Sequence, residues 1–188
     1  MSTSAATRWN HDGGIHEIPL PGVPGRLWLC GKHVAGPDPE ALLARTGADL
    51  VVCLTERHEL IDRYPGYVTW LDEHHMHRER AIWFPIHDLH APPLAEGRSL
   101  VDEIVTLLRH GRGVVVHCAA GIGRAGTTAV ATLVMLGMSP ETALAHVRAH
   151  RPMAGPEVGA QQEFVAQIFA SAQQVAGDVE PQLGGQAQ

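Results

Sequence analysis

The chain has 188 residues, 45% of them apolar and 18% charged, with a formal net charge of −6 and a pI near 6.1. That length favours one domain with a sizeable core, and the acidic balance argues against nucleic acid or an anionic membrane as the main partner. No apolar run approaches the ~20 residues of a membrane helix, no basic-then-apolar leader opens the chain, and Cys30, Cys53 and Cys118 make no even disulfide framework, so the expectation is a cytoplasmic protein.

Residues 1–14 are polar and read as a flexible arm ahead of a domain over 15–175. Ile15–Pro19 and Arg26–Cys30 read as short strands joined by the Pro/Gly turn at 21–25. Asp38 and Pro39 open a helix that Gly47 ends. The all-apolar Leu50–Leu54 predicts a buried parallel strand. Thr55–Tyr64 is expected to be helical up to Pro65, and Tyr67–His75 to form a second short helix. Ala81–Ile86 reads as a strand and Glu96–His110 as an amphipathic helix carrying Leu100, Ile104, Leu107 and Leu108. Gly113–His117 is the next strand, followed by helices over Arg124–Leu136, from Pro140 (capped by Ser139) to Pro152, and over Glu157–Val175. The Gly- and Gln-rich residues 176–188 read as a disordered tail. Alternating strands and helices predict a single α/β domain: a central, mostly parallel sheet with helices on both faces.

Between the strand at 113–117 and the helix at 124 lies His117-Cys118-Ala119-Ala120-Gly121-Ile122-Gly123-Arg124-Ala125-Gly126. A cysteine and an arginine bracket five small or apolar residues with no acid among them. A loop of this kind turns successive backbone N–H groups toward an anion and adds the positive end of the following helix, a field that favours the nucleophilic thiolate. The planar fork of Arg124 suits two anion oxygens.

The stretch resembles the signature of cysteine-dependent protein tyrosine and dual-specificity phosphatases: His-Cys, five residues, Arg, then Ser or Thr and Gly. Phe84-Pro85-Ile86-His87-Asp88 resembles that family's general-acid loop, Val51–Glu56 its early strand, and Arg151-Pro152 with Gly155-Pro156-Glu157 and Gln161–Val165 its later segments. The resemblance, to the compact dual-specificity branch, spans about Pro24 to Phe169. It implies a two-step phosphoryl transfer with Cys118 as nucleophile, Asp88 as general acid and base, and Arg124 with the amides of Ala119, Ala120, Gly121, Ile122 and Gly123 holding the phosphate. His117 is expected to orient Cys118, and Gln161, ahead of Gln162, to position the hydrolytic water. No metal and no cofactor is implied, and the implied partner is a phosphoprotein or phosphopeptide. Ala125 departs from the pattern: the family's hydroxyl, which stabilises the departing thiolate, is missing, so breakdown of the phosphoenzyme is expected to be slow unless Thr127 or Thr128 compensates.

Asp72 is the alternative acid, and His74-His75-Met76-His77 the one candidate metal cluster, without a matching cysteine or carboxylate set. Cys53 is either a resolving thiol for Cys118 or a buried inert one. Because the loop holds no lysine, phosphoprotein is favoured over phosphoinositide. Two other classes stay open: a phosphate-binding module with little turnover, which Ala125 alone supports, and a rhodanese-type sulfurtransferase, which Arg124 and the Asp88 loop disfavour.

Overall fold

The computed structural model describes residues 14–179. Five strands form one sheet in the order β1-β2-β5-β3-β4: β1 (His16–Ile18), β2 (Arg26–Gly31), β3 (Leu50–Cys53), β4 (Ala81–Trp83) and β5 (Gly113–Cys118). Only the β1–β2 pair is antiparallel. Among the described residues seven α-helices accompany it: α1 (Lys32–Ala35), α2 (Pro39–Thr46), α3 (Pro65–His74), α4 (Leu94–Arg109), α5 (Gly123–Met135), α6 (Pro140–His150) and α7 (Gly159–Val179).

The sheet is buried on both sides. Leu27, Leu29, Leu50, Val52, Val114 and Val116 face one core, covered by α4, α5, α6 and α7. The intervening Trp28, Val51 and Val115 face a second core with residues of α1, α2 and α3. This two-residue alternation, on strands apolar throughout, is what a central parallel sheet requires. Helix α5 carries few charges because it is buried along nearly its whole length. The caps work as their residue types dictate: Asp38 accepts from Ala41 N at 2.9 Å and Ser139 from Thr142 N at 3.2 Å.

The structure corrects several expectations. Thr55–Tyr64 is no helix: a single 3₁₀ turn at Arg57–Glu59 is closed by a reciprocal capping box between Glu56 and Glu59, and the chain then turns to bury Leu60 and Tyr64. Pro65 opens α3, where its missing N–H costs nothing, and does not terminate a preceding helix. β4 ends at Trp83, three residues early, because Pro85 offers no donor; Phe84 N and Ile86 N still bond to Cys53 O and Leu54 O, so an extended backbone continues toward Asp88. α1 was absent from the sequence reading, being only four residues long. α7 starts at Gly159, after Glu157 N is taken by the Gln161 side chain, and runs to Val179, past the expected start of the tail. The arm at 1–13 and the tail from 180 onward lie outside the described residues.

Candidate active site

The sheet delivers His117 and Cys118 to opposite faces. Cys118, 3% exposed, follows Val114 and Val116 into the core beneath α5. His117 points the other way, where its Nε2 meets Tyr67 Oη of α3 at 2.6 Å while Nδ1 lies 3.3 Å from Cys118 O. A carbonyl only accepts, so Nδ1 carries the proton and Nε2 accepts from the tyrosine. Burial, with added repulsion from Arg124 and Lys32, pushes His117 down to about 4, so the ring is neutral near pH 7.

From Cys118 to Ile122 every carbonyl is held from outside the loop. Cys118 O takes His117 Nδ1, Ala119 O takes Lys32 N (3.0 Å), Ala120 O and Gly121 O take Arg151 Nη2 and Nε (2.8 and 2.6 Å), and Ile122 O takes Gly126 N and Gly155 N (2.9 and 3.2 Å). Because C=O and N–H point oppositely across a peptide plane, pulling the carbonyls outward turns the amides inward. Among the described residues, no N–H of residues 119–122 donates to a protein acceptor. Gly121 sits at φ +72°, and a side chain there would strike Cys30 O, so this bend requires glycine.

Arg124, 2% exposed, opens α5 and lies on the loop's other flank. Glu59 grips it in a bidentate pair, Nη1–Oε1 2.7 Å and Nη2–Oε2 2.9 Å; Ile86 O accepts from Nη1 at 2.8 Å, and Asp88 Oδ1 stands 3.1 Å from Nη2. Burial is the largest single influence and works against the Glu59 carboxylate, but the hydrogen bonds from Arg124 and the Glu56 backbone, together with the charges of Arg124 and Lys32, outweigh it and leave Glu59 below the ordinary carboxylate value. Asp88 is two-thirds exposed at the mouth of a cleft of about 180 Å³ whose walls include Leu89, Cys118, Ala119, Ile122 and Glu157. The Glu157 carboxylate presses on Gly123, where any Cβ would collide with Oε2.

The structure thus brings together Cys118, Arg124, Asp88 and the loop 119–123. Gln161 is placed elsewhere than expected. It is 1% exposed and does not line the cleft: Oε1 accepts from Glu157 N (2.9 Å) and Thr127 Oγ1 (3.4 Å), and Nε2 donates to His90 O (3.2 Å), so the side chain braces the segment carrying Asp88 and His90 against α5 and α7. Gln162 faces solvent. Thr128 Oγ1 donates to Arg124 O, so neither threonine hydroxyl is directed at Cys118. Asp72, on α3, pairs with Arg57 and lies outside the cleft. His74 and His75 pack on Trp70 and Trp83, and among the described residues no group of three or more His, Cys, Asp or Glu side chains is arranged to hold a metal. Cys30 and Cys53 face the second core, on the opposite side of the sheet from Cys118, so Cys53 is not placed to resolve an oxidised Cys118. Burial pushes their thiols up to about 12 and about 11.

Sequence reasoning missed Glu59 and the role of Arg151. Glu59 is signalled only as the third residue of a capping box. Arg151, fully buried, reaches Gly14 O, His16 Nδ1 and Leu29 O besides the loop, a convergence that no local pattern announces.

A family model described as "Swiss Army Knife protein, DSP-PTPase phosphatase domain" matches residues 23–175. The chain belongs to this DSP-PTPase phosphatase family. Among solved structures, the active form of Tk-PTP is 30% identical, covers 81% of this chain and 99% of its own, and superposes with a TM-score of 0.61. Kinase associated phosphatase (22% identity, 85% and 95% coverage, TM-score 0.70) and human DUSP28 (21%, 85% and 95%, 0.63) share the fold. No curated protein sequence matches. The DSP-PTPase domain is therefore of the compact dual-specificity-like kind, and among its described residues no helix is long and apolar enough to cross a membrane.

Proposed function

We propose that this DSP-PTPase domain hydrolyses phosphate monoesters on phosphoproteins through a cysteinyl-phosphate intermediate. Cys118 Sγ attacks phosphorus as the bond to the leaving oxygen breaks, and Asp88 gives that oxygen a proton. Water then attacks phosphorus, its proton passes to Asp88, and the P–S bond breaks to return the Cys118 thiolate. The observation that supports the reading is the outward capture of all five carbonyls of residues 118–122, which by the geometry of the peptide plane turns the amides of Ala119, Ala120, Gly121, Ile122 and Gly123 toward the loop interior. Arg124 supports it: its Nη1 hydrogens are engaged and Nη2 donates to Glu59 Oε2, whereas its Nε–H is buried with no protein acceptor among the described residues, a donor suited to an equatorial oxygen. His117 acts as an orienting group and Gln161 as a brace of the acid loop.

The cleft also speaks to substrate class. The loop holds no lysine, and the carboxylates of Asp88 and Glu157 line the walls beside Arg124, an arrangement unfavourable to substrates carrying several phosphates. The small cleft of about 180 Å³ and the family support dual specificity over phosphotyrosine alone. PTPMT1, a fold relative at 17% identity, has been solved with PI(5)P, so lipid phosphates belong in the assay panel. Phosphate release from p-nitrophenyl phosphate and from phosphopeptides, lost in Cys118→Ser and strongly reduced in Asp88→Ala, is the expected result. Tight phosphopeptide binding without release would replace the reading by a binding module, and thiosulfate activity by a sulfurtransferase.

A further inference from the structure

We propose that Tyr67 is a positioning residue for the nucleophile, acting through His117 on the peptide unit between Cys118 and Ala119. The inference rests on Cys118 being the nucleophile. Tyr67 lies in the second core, 1% exposed, on the far side of the sheet from the cleft. Pro65 starts α3 so that its first turn lays the Tyr67 ring 5.5 Å from the His117 ring, with the hydroxyl on Nε2 at 2.6 Å. The same core holds Cys53, whose thiol meets Thr55 Oγ1 at 3.1 Å.

The chain of consequence is geometric. A donor on Nε2 leaves Nδ1 as the protonated nitrogen of the neutral ring, and Nδ1–H is directed at Cys118 O. Holding that carbonyl outward turns the Ala119 N–H inward, toward the Cys118 sulfur and the anion. The other four loop carbonyls are held by Lys32 N, Arg151, Gly126 N and Gly155 N; this first one depends on a side chain that could equally adopt the opposite tautomer. Without the tyrosine hydroxyl, the ring can carry its proton on Nε2, and Nδ1 then presents a lone pair to the Cys118 carbonyl. Tyr67 removes that choice.

The test reads Cys118 directly. Rates of alkylation by iodoacetamide are followed from pH 5 to 9 with the labelled cysteine located by mass spectrometry, and p-nitrophenyl phosphate turnover is measured alongside. Tyr67→Phe is expected to move the half-alkylation point to higher pH and to slow labelling roughly tenfold at pH 6. The other groups facing this network (Lys32, Glu59, Arg124, Asp88, Glu157 and the two buried thiols) are the same in both proteins, so the difference reports the hydroxyl. Asparagine at 117 donates to Cys118 O without a tautomer choice. Adding Tyr67→Phe to His117→Asn should therefore shift the profile no further, a non-additivity that a merely structural tyrosine does not produce. An unmoved profile in Tyr67→Phe, or equal shifts in both backgrounds, would overturn the proposal. Independently of any variant, nitrogen-15 NMR of the wild-type His117 ring must show a protonated Nδ1 and a bare Nε2 at pH 7; the reverse tautomer refutes it even if Tyr67→Phe fails to fold. Loss of turnover in Cys118→Ser is read separately, so a failure here stays distinct from a failure of the phosphatase reading.

Discussion

Restoring a hydroxyl at position 125 tests the two-step chemistry where this sequence departs from its family. Ala125 lies in the first turn of α5, fully buried, in the same core cluster as Cys118. The nearby hydroxyls are directed elsewhere, Thr127 to Gln161 and Thr128 to Arg124 O, so none is turned toward the sulfur when the P–S bond breaks. A hydrogen bond to a charged group contributes about 1.5–3 kcal/mol. At 1.36 kcal/mol per factor of ten, its absence is expected, on the proposed mechanism, to slow dephosphorylation of Cys118 roughly 10- to 100-fold and to leave the first step nearly unchanged. Stopped-flow mixing with p-nitrophenyl phosphate should show a nitrophenol burst approaching one equivalent per active site in the wild type. Ala125→Ser should raise steady-state turnover about tenfold or more and shrink the burst. A wild type without a burst, together with unchanged turnover in Ala125→Ser, would refute the reasoning.

Three further expectations follow from buried groups. His117 takes a proton at about 4 when folded against 6.5 in its ordinary state, so between these values the unfolded chain binds the extra proton and stability falls as pH falls. The loss amounts to about 3 kcal/mol between pH 7 and 4, and urea titrations should show that pH slope disappearing in His117→Asn. Arg151→Met removes donors from five acceptors among the described residues, three of them in the loop or β2. It should cost about 3–5 kcal/mol, roughly 10 °C in Tm by calorimetry, and abolish turnover even in the folded fraction. Native alkylation at pH 8 should label Cys118 and spare Cys30 and Cys53, and peroxide treatment should yield no disulfide between Cys118 and Cys53 in peptide maps.

Much of the architecture was legible because apolar pattern and punctuation agreed. Leu50–Cys53 and Gly113–Cys118 are apolar runs bounded by Gly or Asp, and Asp38-Pro39 and Ser139-Pro140 mark helix starts by cap chemistry alone. The segment 55–64 was misread because its turn is decided by a tertiary event: Glu59 swings inward to Arg124, 65 residues away, and local propensity does not see that partner. Gln161 was matched by position, but its role depends on which polar groups meet it in space. Glu157 N, Thr127 and His90 O occupy its amide, while Glu157 takes the cleft wall. Tyr67 and Arg151 were illegible for the same reason, since each bonds to a residue far along the chain, 50 and 30 positions away.

The contacts of Arg151 also set an order of events during folding. One guanidinium joins Gly14, His16 and Leu29 near the start of the chain to Ala120 and Gly121, which are themselves more than 90 residues from that start. Closing loops of that length precedes any gain from the contacts they create, so this knot is tied late. A chain cut before residue 151 has Cys118 and the loop amides but lacks the guanidinium that holds Ala120 O and Gly121 O outward. Under the proposed function, catalytic competence is expected late in assembly, and turnover then reports complete folding.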